Sequence, residues 1–440
     1  MTERSYEQAV EQYRDTLHTL KHLGEVIKLH QEELATRITD DSKLPQNFTR
    51  FDVGSLVDIL LNYEDVLRQM HEGTIPHPVW QKRGPVDISE REGIGQIAAV
   101  LPYNGPAMTF GLAFAPAKLL RKKILIKPAS ESGSFFQSLE QIVKENGLGP
   151  LLRNDDGSPV ITRTSGRKFF AEHLSTSSPT KVFQYYGTDA VVDGRVREMV
   201  KRKPDEFYFI LEGPGKNRFI VTGDLPEDRY EETAAIIAQL GTINGGQTCM
   251  GAEIFDIHAD VAPKLIPLIR EKMRGIVVGD PYDERTMVPP LRKAFAERMY
   301  EQIADALSKG ARLEYVTPLA DGKIPLMTDP AEAYGHEAFT MPAYDEKHLW
   351  VPAVVLSNTN ENMRVRHDET FGPLIAIGTF KNDSDLIPRI MYSHYGLGAS
   401  VFGDKLDENH PDLMQALREN VGNVFENKYM FDPDGGFDPL

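Results

Sequence analysis

Short apolar runs typical of buried parallel strands alternate with helical segments along much of the chain, and no other feature constrains the fold as strongly. The run ILIKPAS, Ile124 to Ser130, follows the helical stretch FGLAFAPAKLLRK and precedes a helix predicted from Ser132 to Glu145. The runs KVFQYYG, EFYFILEG and RFIVTG continue the pattern. Because consecutive parallel strands need crossover connections, this alternation favours parallel sheets with helices packed on their faces. The sequence therefore predicts an α/β protein.

The segments around this alternation have different textures. Residues from about Ser5 to His71 are predicted to be helical, because apolar residues recur there at helical spacing. The polar segment GPLLRNDDGSPVITRTSG, residues 149–166, is predicted to be a surface excursion. A helix from Arg229 to Thr242 and a β-rich stretch from Trp350 to Phe380 are predicted further on. The apolar residues that show the first helical pattern are Leu17, Leu20, Leu23 and Ile27.

Length and charge limit the class of protein. A chain of 440 residues predicts two or three domains, since a single core rarely grows that large. The 49 basic and 65 acidic side chains give a net charge of −16, which argues against nucleic acid or an anionic membrane as the main partner. The charged N-terminus lacks the apolar core of a signal peptide, and no run reaches the roughly 18 apolar residues of a membrane span. A cytoplasmic enzyme or binding protein is therefore expected.

The chain has a single cysteine, Cys249, in the segment INGGQTCMGAE. One cysteine forms no internal disulfide and no thiolate-rich metal site. A lone cysteine is usually a small buried apolar residue, but Gly245 and Gly246 precede this one and let a backbone approach a ligand closely. Their position after a predicted helix suggests a nucleophile on a bend, with backbone N–H groups near it.

A set of motifs in one order along the chain resembles those of the aldehyde dehydrogenase superfamily. NGGQTC resembles the signature of the nucleophilic cysteine and implies that role for Cys249. LEGPGKN resembles the segment of the general base and implies Glu212, which lies 249 − 212 = 37 residues earlier, close to the family's usual interval. LPYNGP resembles the segment whose asparagine lines the oxyanion hole, which implies Asn104. ILIKPAS, DETFGPLIAI and a pair near the C-terminus, GLGASVF with GNVFENKY, complete the set and place Asn427 at the family's late asparagine.

The same resemblance implies NAD or NADP as cofactor and assigns the residues that would bind it. Lys127 matches the position at the adenosine ribose, and Glu369 matches the carboxylate at the nicotinamide ribose, with Phe371 beside the ring. The segment GTDAVVDG matches the family's diphosphate loop only loosely. The implied cofactor-binding residues are Leu101, Pro102, Lys127, Ser130, Gly187, Thr188, Glu369 and Phe371.

The chemistry of aldehyde oxidation explains these residue types. A thiolate attacks the aldehyde carbon, so Cys249 must lose its proton near neutral pH, where a free cysteine is only a few per cent ionised. The alkoxide needs donors aimed at it in advance, which the Asn104 amide and the Cys249 N–H would supply. After hydride loss the thioester must be hydrolysed, and Glu212 would activate the water.

The resemblance also implies a division of the chain. Residues 1–82 and 97–214 would form a Rossmann-like cofactor domain, residues 83–96 a β-hairpin oligomerisation arm, and residues 215–440 the α/β catalytic domain that carries the nucleophile. Pro214 replaces a family glycine and is expected to stiffen the turn after Glu212. The family's last strand, which joins a partner subunit, is expected to be missing after GGFDPL, so a homodimer is possible but weakened.

Cofactor choice and function leave alternatives open. The glutamate that usually follows the adenosine lysine by three positions is here Ser130, so NADP is expected to bind at least as well as NAD. The main expectation is NAD(P)-dependent oxidation of a small-molecule aldehyde to a carboxylic acid. One alternative is the same chemistry ending at CoA, or run in reverse as an acyl-thioester reductase. Another is a non-catalytic binding or scaffold protein with the same fold.

Overall fold

The computed structural model describes residues 6–72, 95–175, 177–187, 208–319 and 342–429. Contacts divide them into two compact units. The N-terminal unit comprises the described residues of Met1–Ser42 and Gln46–Gly213, and the C-terminal unit comprises Lys43–Pro45 and those of Pro214–Phe437. The two units are described separately below.

The N-terminal unit begins with helices, as the sequence predicts. They are α1 (Tyr6–Val10), α2 (Arg14–Leu29), α3 (Gln31–Ser42) and α4 (Gln46–Glu72). Leu20, Leu23 and Ile27 are fully buried on one face of α2, and Leu17 is nearly so. Helix α3 is tied to the rest of the unit by Asp41, whose carboxylate accepts the Ser134 N–H at 2.7 Å.

A parallel sheet follows in the same unit. Its described strands are β1 (Gln96–Val100), β2 (Ile124–Lys127), β3 (Thr180–Tyr186) and β4 (Tyr208–Glu212), in the order β2-β1-β3-β4. The helices between these strands are α5 (Pro106–Leu119), α6 (Gly133–Glu145) and α7 (Gly166–His173). Parallel strands and intervening helices confirm the predicted α/β class. Gln96 belongs to β1, while residues 83–94 of the predicted arm lie outside the described part of the chain.

The prediction of a surface excursion over residues 149–166 is wrong at the positions that are buried, which are Leu152, Asn154, Val160 and Ile161. Val160 and Ile161 are buried, and the backbone of residues 160–162 pairs beside Ile126 at the edge of the sheet. The Ile126 N–H donates to the Val160 carbonyl at 2.7 Å, and the Thr162 N–H donates to the Ile126 carbonyl at 2.8 Å. The polar residues of this segment are exposed around Gly157 and again at Arg163 and Ser165, whereas the apolar Val160–Ile161 pair between them lies in the core.

The C-terminal unit is built on a larger sheet. Within the described residues, its strand order is β10-β12-β13-β6-β5-β14-β15, parallel except for the β10–β12 pair. These strands are β5 (Asn217–Val221), β6 (Ala252–His258), β10 (Arg312–Val316), β12 (Val354–Ser357), β13 (Leu374–Phe380), β14 (Gly398–Phe402) and β15 (Asn423–Glu426). Short strands lie beside it: β7 (Val277–Val278), β8 (Thr286–Val288), β9 (Leu291–Arg292) and β11 (His348–Leu349).

Helices cover this sheet and enclose its core. They are α8 (Tyr230–Leu240), α9 (Ala262–Met273), α10 (Lys293–Ser308), α11 (Asp383–Met391), α12 (Leu406–Asn409) and α13 (Pro411–Asn420). Strand β6 lies near the middle of the sheet and is buried along nearly all of its length, as expected for a strand covered on both faces. Of the helices in the described residues, none is both long and apolar enough to cross a membrane.

Candidate active site

In the N-terminal unit, the candidate residues collect at the carboxyl ends of the parallel strands. Leu101 directly follows β1, Lys127 ends β2, Gly187 directly follows β3 and Glu212 ends β4. Val100 pairs with Lys127 across β1 and β2, and Tyr186 pairs with Glu212 across β3 and β4. The chain reverses its direction of progress across the sheet between β1 and β3, and open α/β sheets bind ligands at the carboxyl edge of such a switch point. This edge can therefore hold a dinucleotide.

Asn104 lies in the loop between β1 and α5, and that loop is anchored by a side chain from α4. The N-cap of α5 is Gly105, which has no side chain to satisfy the first N–H groups of the helix. The buried Asp52 supplies both acceptors: its carboxylate oxygens accept the N–H groups of Ala107 at 3.0 Å and Met108 at 2.9 Å. Burial raises the pKa of Asp52 to about 6, although these two bonds lower it. Asp52 was not a candidate from the sequence.

Lys127 and Ser130 lie close to a carboxylate that the motif comparison overlooked. Burial lowers the pKa of Lys127, and Glu131 opposes that shift. The Ser130 hydroxyl donates to Glu131 Oε2 at 2.8 Å, while Lys127 Nζ donates to the Pro128 carbonyl at 2.7 Å. Glu131 therefore places a negative charge beside Ser130, although the family glutamate itself is absent at that position.

Glu212 and Gly187 are joined through their backbones at the end of β3 and β4. The Gly187 N–H donates to the Glu212 carbonyl at 3.0 Å. The Glu212 side chain is partly buried, and this desolvation raises the pKa of its carboxyl group. A carboxyl group with a raised pKa is a better proton acceptor at neutral pH than an ordinary glutamate. Thr188 lies outside the described residues.

Cys249 lies on a turn that immediately precedes β6 and is partly exposed. The preceding residues Ile243–Gly246 form a 3-10 turn in which Asn244 and Gly245 have φ values of 54° and 62°. Gly246 has φ +73°, and a Cβ added there would lie 2.2 Å from the Gly372 carbonyl oxygen. The two glycines were expected to admit a ligand, but Gly246 admits the backbone of Gly372. The bend itself is present as predicted.

The loop that carries Glu369 reaches the same place as Cys249 through Gly215. The Gly215 N–H donates to Glu369 Oε1 at 2.7 Å. A Cβ on Gly215 would lie only 1.8 Å from the Cys249 carbonyl oxygen, so the two backbones are in direct contact. The Asn217 side chain donates to that same carbonyl at 3.2 Å. Cys249 and Glu369 are therefore brought together at the amino ends of β5, β6 and β13.

Burial and nearby charges set the state of Glu369. The pKa of Glu369 is raised to about 7, mainly by burial and also by the negative charge of Glu253. The Gly215 N–H and the cations Arg298 and Lys216 act in the opposite direction. This carboxyl group therefore changes its charge near neutral pH.

Phe371 lies in the same loop in a left-handed backbone conformation, with φ 54°. Its ring meets the ring of Phe295 edge-on, with centroids 5.2 Å apart. Motif reasoning placed Phe371 but missed the residues that hold its loop. Those residues are Lys216, Glu253 and Gln302, all buried. A charged residue inside the apolar strand AEIFDIH was the available signal for Glu253.

Asn427 holds together parts of the C-terminal unit. Its side-chain oxygen accepts from Arg229 Nη1 at 2.7 Å and from the Gly403 N–H at 3.2 Å, and its Nδ2 donates to the Gly403 carbonyl at 3.0 Å. These contacts fix the end of β14 to the chain before α8. They account for a polar residue at this position without a ligand.

The sequence of this chain matches a protein-family model and curated proteins of known activity. The model of the aldehyde dehydrogenase family matches residues 10–325 and 327–437. The 3-sulfolactaldehyde dehydrogenase of Priestia aryabhattai is 27% identical over 336 residues, which cover 76% of this chain and 61% of that protein. The chain thus spans about three fifths of that relative's length.

Solved structures show the same fold. The NAD-dependent aldehyde dehydrogenase from Sinorhizobium meliloti is similar with a TM-score of 0.74 at 19% identity, over 96% of this chain and 75% of that chain. An NADP-dependent enzyme from Escherichia coli is similar with a TM-score of 0.73 at 21% identity, over 94% of this chain and 78% of that chain.

Proposed function

Since the chain belongs to the aldehyde dehydrogenase family, we propose that it oxidises an aldehyde to a carboxylic acid with NAD or NADP as the hydride acceptor. The observation that supports this most is the convergence on Gly215 in the C-terminal unit. Gly215 binds the Glu369 carboxylate through its N–H and lies against the Cys249 carbonyl. This contact supports a site in which the segment of the proposed nucleophile and the carboxylate proposed to hold a ribose hydroxyl meet at one glycine.

The residues divide the work as follows. The Cys249 thiolate attacks the aldehyde carbon and forms a thiohemiacetal, whose alkoxide accepts hydrogen bonds from the Asn104 amide and the Cys249 N–H. A bound NAD or NADP would supply the acceptor for the hydride of this carbon. Glu212, whose pKa is raised by desolvation, takes a proton from the water that hydrolyses the resulting thioester. The acid leaves and the thiol is restored.

The cofactor-binding roles that the resemblance implies are proposed for the residues of each unit in turn. At the carboxyl edge of the N-terminal sheet, Lys127 and Ser130 would contact the adenosine ribose, with Leu101 and Pro102 against the cofactor and Gly187 at the diphosphate. Thr188 keeps the diphosphate role that the resemblance implies. In the C-terminal unit, Glu369 would hold the nicotinamide ribose and Phe371 would flank the ring. The names of similar structures include both an NAD-dependent and an NADP-dependent enzyme, so either cofactor is compatible with the fold.

The experiment is an aldehyde panel with both cofactors. Aliphatic, aromatic and amino aldehydes are mixed with the wild type, and the absorbance of the reduced cofactor is followed. Cys249→Ser is expected to retain less than about a tenth of the rate, because a hydroxyl without an activating base is a far poorer nucleophile. Thermal unfolding of that variant serves as the control for its fold. A variant that keeps more of the rate contradicts the assignment of the nucleophile.

Glu212→Gln tests the second half of the reaction. This variant is expected to give a single burst of reduced cofactor followed by slow turnover, because the thioester accumulates without its base. Turnover at the wild-type rate would mean that another base or CoA resolves the thioester. Product analysis with and without CoA separates those two outcomes.

A homodimer is part of the proposal, and light scattering on the full chain tests it.

A further inference from the structure

We propose that Glu253 is a positioning residue, which holds the loop of Glu369 and Phe371 against the segment that carries Cys249. The inference rests on the proposed function and adds to it a residue that the family motifs do not assign here. Glu253 is the second residue of β6 and lies four residues after Cys249 in the chain. It is only 5% exposed.

The two carboxylate oxygens of Glu253 bind two successive backbone N–H groups. Oε2 accepts the Thr370 N–H at 2.7 Å, and Oε1 accepts the Phe371 N–H at 2.8 Å. Phe371 is in the left-handed region, which is costly for a residue with a bulky side chain. Charge-assisted bonds to both N–H groups offset that cost. The conformation of the loop therefore depends on this carboxylate.

The carboxylate is balanced by a buried cation. Lys216 is 2% exposed, and its Nζ lies 2.6 Å from Glu253 Oε2. Burial lowers the pKa of Lys216, and the charge of Glu253 opposes that shift. Lys216 Nζ also lies 3.4 Å from the Thr370 hydroxyl, so both members of the ion pair contact the loop.

A second set of bonds secures the same loop from helix α10. The Thr370 hydroxyl donates to Gln302 Oε1 at 2.6 Å, and Gln302 Nε2 donates to the carbonyls of Asp368 and Glu369, each at 3.2 Å. Gln302 has no exposed surface. The loop is thus held from two sides, by Glu253 on β6 and by Gln302 on α10.

The held loop contacts the cysteine segment directly. Gly372 lies so close to Gly246 that a Cβ on Gly246 would be 2.2 Å from the Gly372 carbonyl oxygen. Glu369 accepts the Gly215 N–H, and Gly215 lies against the Cys249 carbonyl. A shift of the loop would therefore move the Glu369 carboxylate relative to Cys249, and errors of about 1 Å in such placement are costly to function.

A purely structural ion pair would look different. Asp256 lies on the same strand, is fully buried, and pairs with Arg218 at 2.6 Å and with Arg366 at 2.5 Å. Neither of these ion pairs involves Cys249, Glu369 or Phe371. In contrast, both carboxylate oxygens of Glu253 accept hydrogen bonds from the backbone next to Glu369. This difference is what the experiment exploits.

The charges around Glu369 provide a second measurement. The titratable groups that face it are Glu253 on β6, Lys216 before β5, Arg298 on α10 and Tyr395 before β14, together with Cys249 across Gly215. Removing the Glu253 charge lowers the pKa of Glu369, and removing the Lys216 charge raises it. Removing both charges leaves the pKa of Glu369 nearer its wild-type value.

The test is calorimetric titration of NAD and NADP into the full chain, across the pH range in which the wild type is folded. The variants are Glu253→Gln and the double variant Lys216→Met with Glu253→Gln. The double variant avoids leaving a buried ammonium unpaired and so keeps the test open if the single variant does not fold. Glu361→Gln is the matched control, because Glu361 also pairs with a buried cation, Arg366, at 3.0 Å.

We expect both Glu253 variants to lose roughly tenfold in dinucleotide affinity, because both lose the bonds to the loop. In the wild type, we expect the affinity to fall at a pH near the Glu369 pKa of about 7. That pH should be lower in the single variant. In the double variant it should return towards the wild-type value. Glu361→Gln retains the wild-type affinity. Affinities of both variants within about twofold of the wild type, or an equal loss in the control, overturn the proposal.

The outcome is separable from that of the proposed function, because binding is measured without aldehyde. A wild type that binds a dinucleotide but oxidises no aldehyde refutes the proposed reaction and leaves the role of Glu253 testable. A wild type that binds neither NAD nor NADP refutes both.

Discussion

At the scale of single residues, the site depends on left-handed backbone at the two segments that touch. Gly245 and Gly246 have positive φ before Cys249, and Phe371 has positive φ in the opposing loop. Glycine takes this conformation at no steric cost, whereas Phe371 needs the two bonds from Glu253. The two hydrogen bonds from Glu253 therefore explain the positive φ of Phe371.

Gly246→Ala is expected to destabilise the C-terminal unit severely. An alanine there has the left-handed cost of about 1 to 2 kcal/mol and also a Cβ 2.2 Å from the Gly372 carbonyl oxygen. Urea unfolding measures the loss of free energy. Gly310→Ala is the control, since Gly310 has φ +96° with nothing within 4 Å of an added Cβ. Equal losses in the two variants would show that the contact with Gly372 contributes nothing.

Glu131→Gln is expected to favour NADP over NAD. Glu131 bonds to Ser130 beside Lys127, so its charge would repel a 2′-phosphate placed at that lysine. Removing it should raise the ratio of NADP to NAD affinity by up to about tenfold, or roughly 1.4 kcal/mol. Ser130→Glu is expected to change the ratio in the opposite direction. Calorimetric titration of both cofactors measures it, and an unchanged ratio in both variants contradicts the placement of the adenosine ribose.

At the level of helices and strands, the N-terminal unit contains a helix whose N-terminus is capped by a side chain from another helix. Helix α5 follows the Asn104 loop and begins at Pro106, and its N-cap residue Gly105 has no side chain to cap it. Asp52 of α4 binds its first free N–H groups. The position of the loop between β1 and α5 is therefore fixed in part by α4, which lies far from it in the sequence.

Asp52→Asn is expected to change the pH dependence of stability. The folded pKa of Asp52 is raised to about 6 from 3.8, so the native state holds this proton more tightly than the unfolded state. Its contribution to stability is fully present below about pH 4 and is lost as pH rises through about 6. The wild type should therefore lose stability over that window relative to the variant, which has no carboxyl group there.

Urea unfolding at several pH values measures this difference. Asp58→Asn is the control, because Asp58 is exposed on the same helix. A stability difference between the wild type and Asp52→Asn that stays constant from about pH 4 to 7 would contradict the raised pKa of Asp52.

At the scale of the whole molecule, the net charge of −16 disfavours the folded state through repulsion. Raising the salt concentration from about 0.01 M to 0.15 M shortens the screening length from about 30 Å to 8 Å. The exposed ion pairs that salt weakens contribute little individually. The midpoint of thermal unfolding is therefore expected to rise with NaCl over this range. KCl should act equally if screening is the cause, and a midpoint that falls in both salts contradicts the argument.

Local sequence patterns were enough to predict many of the helices and strands and the main candidate residues. Leu20, Leu23 and Ile27 predict α2, and ILIKPAS predicts β2, because periodicity and apolar runs are local properties that neighbouring residues impose. The ordered motifs indicated the family that the comparison confirms. The roles of Cys249, Glu212 and Asn104 were inferred from the same motifs and remain proposals.

Which charged side chains are buried, and which segments they bind, became apparent from the folded chain alone. Lys216 and Glu253 are 37 residues apart, Glu253 and Phe371 are 118 apart, and Asp52 and Met108 are 56 apart. No local pattern reports such pairs, since a buried charge is tolerated only where the fold brings a partner to it. The same reason explains why Val160 and Ile161 were misplaced: their burial depends on β2, which lies beside them only after folding.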